Sequence, residues 1–291
     1  MSPPALFDRA LHRQRLRRAA PHYDTAGFLK QRAADDAVDR LESVTRSFER
    51  AAELGARTGA FARALAGSLA QEKLGFLIET DLAPGMLTGR SGARVVLDEE
   101  RLPFAAGSLD LVVSLLALHW TNDLPGALIQ IRRALRPDGL FLGAVFGGAT
   151  LTELRQSLLA AEAELRGGAG PRVSPFADGG DAAGLLQRAG FALPVADVDR
   201  VTVRYQHPLR LLQDLRAMGE TNVLLDRDRR PLSRPVLARA FEIYAERFGS
   251  HDGRIPATFE IVSVTGWAPT RSGTLRSEPR RRLSPFGEGM R

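Results

Sequence analysis

The sequence contains no cysteine. That excludes disulfides, thiolate metal sites, cysteine-ligated iron–sulfur clusters and cysteine nucleophiles, and it fits a reducing compartment. Lysine is almost as scarce. Lys30 and Lys73 are the only two, and arginine supplies the rest of the 40 basic residues. With abundant alanine and glycine, this bias reads as a GC-rich genome and not as a binding code. No run of about 18 apolar residues occurs, so no membrane span is expected. The opening "MSPPALFDRALHRQRLRRAAPHY" has no apolar h-region and is not a secretory signal. It holds Asp8 and runs straight into patterned chain, so it reads as a mature cytosolic start. Of the five histidines, His12, His22, His119, His207 and His251, only His22 opens an H-x-D spacing, with Asp24; one such pair without a second patterned histidine is a weak signal, and no metal site is expected.

What remains is ordinary globular material. The 291 residues are 44% hydrophobic and 25% charged, enough for a normal core in one large or two small domains. Each end, 1–18 and 270–291, carries a net +4, which leaves the body between them at −2 of the total +6. A near-neutral body gives little support for a basic folded face, so no nucleic-acid partner is expected. The basic ends suit peripheral contact with anionic lipid or an acidic partner, or are simply solvated. The expected location is a bacterial cytoplasm, or the periphery of the inner membrane.

Residues 1–47 have a helical pattern. In "FLKQRAADDAVDRLESV" the residues Phe28, Leu29, Ala33, Ala37, Val38 and Leu41 share one face. From about residue 50 the pattern alternates. Strands are expected at 50–54, 74–82, 93–98, 109–118, 140–147, 198–205 and 258–268. Helices are expected through "AFARALAGSLAQ", "PGMLTGR", "LPGALIQIRRAL" (ended by "RPDG"), "TLTELRQSLLAAEAEL", "DAAGLLQRAGF", "PLRLLQDLRAMGETNVLL" and "RPVLARAFEIYAERFG". Strands alternating with helices imply a doubly wound, mostly parallel α/β sheet over 48–269, with helical insertions before the last strand. Its ligands should sit at the carboxyl ends of the strands. The tail 270–291 reads as disordered.

The turns at those strand ends carry the candidate chemistry. In "ELGARTG", Glu53 can accept from a ligand amine, while Gly55 and Gly59 permit a tight turn and close helix packing. Arg57 stands in the middle, where close approach favours glycine. It is expected either to point outward or to pair with a ligand carboxylate. Asp81, with Leu82 beside it, ends the second strand 22 residues after Gly59. A carboxylate there can accept both hydroxyls of a ribose, or it can cap the following turn. Asp98 and Glu99 end the third strand and can accept from an adenine amine, or stand as solvated loop acids. Ser114 ends the fourth strand. His119 and Trp120 follow it, and His119 is a candidate general base, with a packed lid as the simpler role. Trp120, Glu220, Asn222, Asp252 and Arg254 are candidate substrate contacts, and carboxylates among them would suit an arginine substrate.

The order of these features resembles the class I S-adenosylmethionine-dependent methyltransferases. A glycine turn is followed by an acid after strand two, an acid after strand three, then "LPF…SLDLVVS…LALHW" and "LIQIRRALRPDGLF". The resemblance covers about residues 50–147. It implies a seven-stranded Rossmann-like sheet with N-terminal helices, and S-adenosylmethionine held by Glu53, Gly55, Arg57, Gly59, Asp81, Leu82, Asp98, Glu99 and Ser114. The departures are Arg57 and Leu115, the latter standing where relatives often carry asparagine. A narrower resemblance runs through "LFDRALHRQRLRRAA", "DLRAMGETN", "GSHDGRIPATFEIVSVTGWAP" and "SPFGEG". These stretches resemble the family of mitochondrial complex I assembly factor 5 and its bacterial relatives. That family implies a protein substrate, a complex I subunit, and the description of an arginine hydroxylase. The first expectation is therefore a methyltransferase-superfamily enzyme acting on a protein partner in complex I assembly. The alternatives are arginine hydroxylation, a non-catalytic assembly chaperone, and an O-methyltransferase of a small carrier-bound acid.

Overall fold

A computed structural model of the protein describes residues 5–176 and 179–270. The chain runs α1 (Arg9–Ala19), α2 (Phe28–Ser43), β1 (Phe48–Leu54), α3 (Ala60–Leu65), β2 (Leu74–Asp81), β3 (Ala93–Val96), β4 (Leu109–Leu115), α4 (Leu124–Ala134), β5 (Leu135–Phe146), α5 (Thr152–Arg166), α6 (Ala182–Arg188), β6 (Ala192–Tyr205), α7 (Pro208–Ala217), α8 (Arg234–Phe248) and β7 (Ile255–Trp267). The strands form one seven-stranded sheet in the order β3-β2-β1-β4-β5-β7-β6. Pairing is parallel up to β5, and β7 runs antiparallel to both β5 and β6.

The apolar run of β4 explains its central place. Leu111, Val113 and Leu115 pack into a core with α2, α3 and the C-terminal helices, while Val112 packs on the other side with α4 and α6. A strand covered on both faces needs apolar residues at every position, not at alternate ones. The strand order reverses between β1 and β4, so the crevice at their carboxyl ends is where a ligand of this sheet sits.

Several borders differ from the sequence expectation. The "RPDG" segment lies within β5, because Arg136 pairs with Asp110 at 2.8 Å and Asp138 N donates to Ala268 O, which ties the turn to β4 and β7. β6 begins at Ala192, with a register shift between Ala192 and Val195 that absorbs Pro194 at the sheet edge. α3 stops at Leu65, and α7 stops at Ala217, so "GETN" lies outside the helix and its side chains reach other partners. Apart from Thr270, the expected basic tail lies outside the described residues.

A buried lysine joins helix and sheet. Lys30 sits on the inner face of α2 at the spacing of Ala33, Ala34 and Ala37. Its ammonium donates to Gly55 O at 2.7 Å and Leu115 O at 2.6 Å, and stands 3.6 Å from Glu53. It thereby ties the ends of β1 and β4. Removing it leaves two buried carbonyls and a carboxylate uncompensated. Lys30→Met is expected to cost about 3–5 kcal/mol, lowering the melting temperature by about 10 °C in a calorimetric scan.

Candidate functional site

The turn after β1 is built around two glycines and one arginine. Gly55 has φ 68° and Gly59 has φ 87°. A β-carbon on Gly55 would run into Ala117, and one on Gly59 into the Arg90 guanidinium. Arg57, at φ 52°, holds the same left-handed backbone with a full side chain. That side chain points inward and is among the largest wholly buried ones. Its Nη1 donates to Asp81 Oδ2 at 2.8 Å, and its backbone N donates to the same oxygen at 3.0 Å. The other oxygen of Asp81 accepts from Ala83 N at 2.9 Å. The expected outward orientation of Arg57 is therefore not what the fold adopts. The acid beside it already accepts three bonds, of about four that a carboxylate can take.

The third-strand acids are engaged as well. Arg9, on α1, donates to Asp98 at 2.6 Å, to Glu99, and to Trp120 O at 3.2 Å. Glu99 is buried, and burial raises its pKa against the pull of Arg9. α1 is held over these strand ends by Leu16, Ala19 and Tyr23, which pack on Leu82, Ala83 and Met86. His12, one turn beyond Arg9, lies with its ring 5.1 Å from that of Trp120. Burial, then Arg57, Arg9 and His119, hold the pKa of His12 well below 6.5. Arg90 braces the turn from the other side, bonding to Glu79 and to Arg57 O.

Several buried polar atoms in this crevice have no hydrogen-bond partner. They are both oxygens of Glu53, Nε and Nη2 of Arg57, Nε of Arg9, Nε2 of His12 and Nδ1 of His119. Burial raises the pKa of Glu53, and burial lowers that of Lys30 to about 8. Unpaired buried groups of opposite charge preference, packed at the switch point of a doubly wound sheet, are the marks of a ligand site. Ser114 is not among them, because its hydroxyl donates to Leu54 O at 3.3 Å. Leu82 contributes packing against α1.

Next to the crevice lies a cavity of about 450 Å³. Phe146, Leu151, Leu154, Leu215 and Phe259 form apolar walls, and Trp120 and Glu220 stand on the side of the crevice. Glu220 Oε2 accepts from Trp120 Nε1 at 2.8 Å and lies 3.3 Å from His119 Nε2. Among the described residues Oε1 has no hydrogen bond. Asn222 lines the cavity too, donating to Pro171 O at 2.8 Å. Asp252 and Arg254 do not join this group. They lie exposed on the turn before β7, 3.9 Å from each other. Among the described residues no group of three or more His, Asp or Glu side chains is arranged to hold a metal ion. No described helix is long and apolar enough to cross a membrane.

Sequence reading missed Arg9, His12 and Lys30. Only Lys30 left a signal, as a charge on an otherwise apolar helical face. Arg9 and His12 meet the strand ends from about 90 residues away, a distance that no local pattern encodes.

The sheet order, the antiparallel seventh strand and the acids after β1, β2 and β3 define a class I S-adenosylmethionine-dependent methyltransferase fold. Residues 52–143 match the family described as "Methyltransferase domain". The crystal structure of YcgJ from Bacillus subtilis superposes with a TM-score of 0.55 at 14% identity, covering 83% of this chain and 99% of that one. Within the class, the chain belongs to the family of NDUFAF5. The mouse protein "Arginine-hydroxylase NDUFAF5, mitochondrial" is 40% identical over 99% of this chain and 85% of its own length. The human one is 39% identical over 97% and 83%. A "Malonyl-[acyl-carrier protein] O-methyltransferase" of Halorhodospira halophila is 37% identical over 90% and 88%.

The unpaired atoms fit the cofactor of the class at its amino-acid end. Glu53 would take the ammonium, and Nε and Nη2 of Arg57 would take the carboxylate. At the ribose end Asp81 has room for about one hydroxyl, not two, while Arg57 holds it. Arg57→Gly relieves the positive φ but removes the guanidinium from the cofactor carboxylate and from Oδ2, which keeps the bond from the backbone N. Titration calorimetry with S-adenosylmethionine is expected to show binding weakened by about tenfold, or about 1.4 kcal/mol, with a lower melting temperature from the broken pair. The buried His12 gives a pH signature. Its folded pKa is depressed, so its contribution is present above pH 6.5 and is lost as pH falls. Below 6.5 the unfolded chain takes up a proton that the buried ring refuses. Denaturant unfolding should show His12 adding about 1.4 kcal/mol of lost stability per pH unit at most, a slope absent in His12→Gln.

Proposed function

We propose that this chain modifies an arginine side chain of a protein partner, in the assembly of the respiratory NADH–quinone oxidoreductase. The observation that carries the reading is Glu220. It stands between the apolar cavity and the His119–Trp120 turn, with Oε2 fixed by Trp120 and Oε1 unbonded. A carboxylate fixed on one oxygen accepts a guanidinium in a charge-assisted bond and orients it. The same carboxylate opposes a malonyl-type anion, which sets the carrier-bound acid aside.

Hydroxylation is the reaction we put first: one atom of dioxygen enters an arginine C–H bond, the other leaves as water, and an external two-electron reductant supplies the electrons. This is the activity in the names of the mouse and human relatives, and the hold of Arg57 on Asp81 departs from a site shaped only to grip S-adenosylmethionine. Methyl transfer is the second reading, supported by the methyltransferase domain and by the Glu53 oxygens that have no hydrogen bond. When bound, S-adenosylmethionine supplies an electrophilic methyl group. In either reading Glu220 orients the guanidinium, and His119, beside it, is the group placed to hold a proton. Trp120 closes the crevice between cavity and strand ends, and α1 excludes water from above.

Mass spectrometry of the complex I subunits from cells with and without this protein tests the reading. A gain of about 16 Da on one arginine is expected from hydroxylation, and about 14 Da would move methyl transfer ahead. No change on any arginine, with assembly still failing, would make the protein a chaperone and end the enzymatic reading. Glu220→Gln is expected to reduce the modified fraction about 100-fold, the scale of losing one partner of a buried charged pair, while leaving the fold's melting temperature within a few degrees.

A further inference from the structure

The mouth of the cavity is crowded with arginines, most of which have no acid to meet. Arg15 comes from α1, Arg216 from the last turn of α7, and Arg227, Arg229 and Arg230 from the loop after it, all lining the same cavity. Arg18 stands close by on α1. Among the described residues, Arg15, Arg18, Arg216, Arg229 and Arg230 form no ion pair. The nearby acids are already taken. Asp228 bonds to Arg166 at 3.0 Å and Arg172 at 3.3 Å, and Asp8 stands 3.5 Å from Arg227. Crowding of this kind raises the energy of the free protein. Burial, and after it the charges of Arg18, Arg227 and Arg216, lower the pKa of Arg15.

The cavity behind this mouth also has hydrogen-bonding groups with nothing to bond. Arg15 Nε, Ser174 Oγ and Thr221 Oγ1 are buried, line the cavity and have no partner. The three come from α1, from the loop between α5 and α6, and from the loop after α7. They converge on one space whose walls are otherwise Leu and Phe. Unpaired donors and hydroxyls around an apolar space suit the carbonyls of an extended peptide and the apolar side chains between them.

We propose that the cavity and its arginine rim dock a segment of a protein partner in which apolar residues are flanked by aspartate or glutamate. The apolar residues fill the walls, the backbone carbonyls meet Ser174, Thr221 and Arg15, and the acidic flanks neutralise the rim. This names the sequence class of the partner. It rests on the preceding reading only in placing an arginine of that segment at Glu220.

The test uses the full chain and short fluorescein-labelled peptides in a polarisation titration. One peptide has a Leu-Arg-Leu centre with glutamates on both flanks. The second has the same centre with lysines. The third keeps the glutamates around Leu-Gln-Leu. The glutamate-flanked peptide is expected to bind at least about tenfold more tightly than the lysine-flanked one, and to lose that advantage as salt rises. The double variant Arg15→Glu, Arg216→Glu should reverse the preference. The salt dependence is read on the unaltered protein, so a misfolded variant leaves the test intact. Equal binding of the first two peptides would overturn the proposal. So would capture by phosphatidylglycerol vesicles in preference to any peptide, which would make the rim a membrane surface. If the third peptide binds as tightly as the first, the docking surface stands and the assignment of Glu220 to arginine falls.

Discussion

The ion pair between Arg57 and Asp81 sets the terms for everything around it. Both side chains are buried, and a charge buried without its partner costs several kcal/mol. The pair therefore fixes the turn after β1 against the end of β2, although Arg57 adopts a backbone conformation that glycine holds more cheaply. Tyr23, Glu99 and Glu220 lie within the electrostatic reach of the same guanidinium. One side chain thus links the strand ends, the helices over them and the wall of the neighbouring cavity.

The fold was legible because its signals are local. The apolar run of β4, the glycines at 55 and 59, and the acids at 53, 81, 98 and 99 each announce a strand end within a few residues. Where borders moved, the cause was tertiary. The "RPDG" turn was drawn into β5 by Asp110 and Ala268, and β6 grew by pairing with β7 past Pro194. The crevice was legible in part. Its acids were visible, but what they bond to was not. Arg9 and His12 reach the site from α1, and the inward turn of Arg57 depends on an acid 24 residues away. Charges that meet through the fold leave no periodicity in the sequence.

The two spaces at the strand ends differ in chemical character. The crevice holds mixed charges packed against one another, several of them short of a partner. The cavity has apolar walls, a single acid on the crevice side and a mouth where guanidinium groups outnumber the acids that pair with them. His119, Trp120 and Glu220 form the partition between them. A group on that partition is within reach of both, which is the arrangement an enzyme needs if it is to bring a small cofactor and a macromolecular substrate to the same atoms.

The grip of Arg9 on Asp98 and Glu99 has a thermodynamic consequence. Any ligand that bonds to those two acids competes with a helix of its own protein for the same charges. If such a ligand displaced the helix, only the displaced fraction would present both acids free of Arg9. Apparent affinity equals intrinsic affinity multiplied by the displaced fraction. A partner that draws α1 toward itself raises that fraction without touching the ligand. The first helix thus couples the two ends of the site, since Arg9 faces the crevice and Arg15, less than two turns further along, lines the cavity.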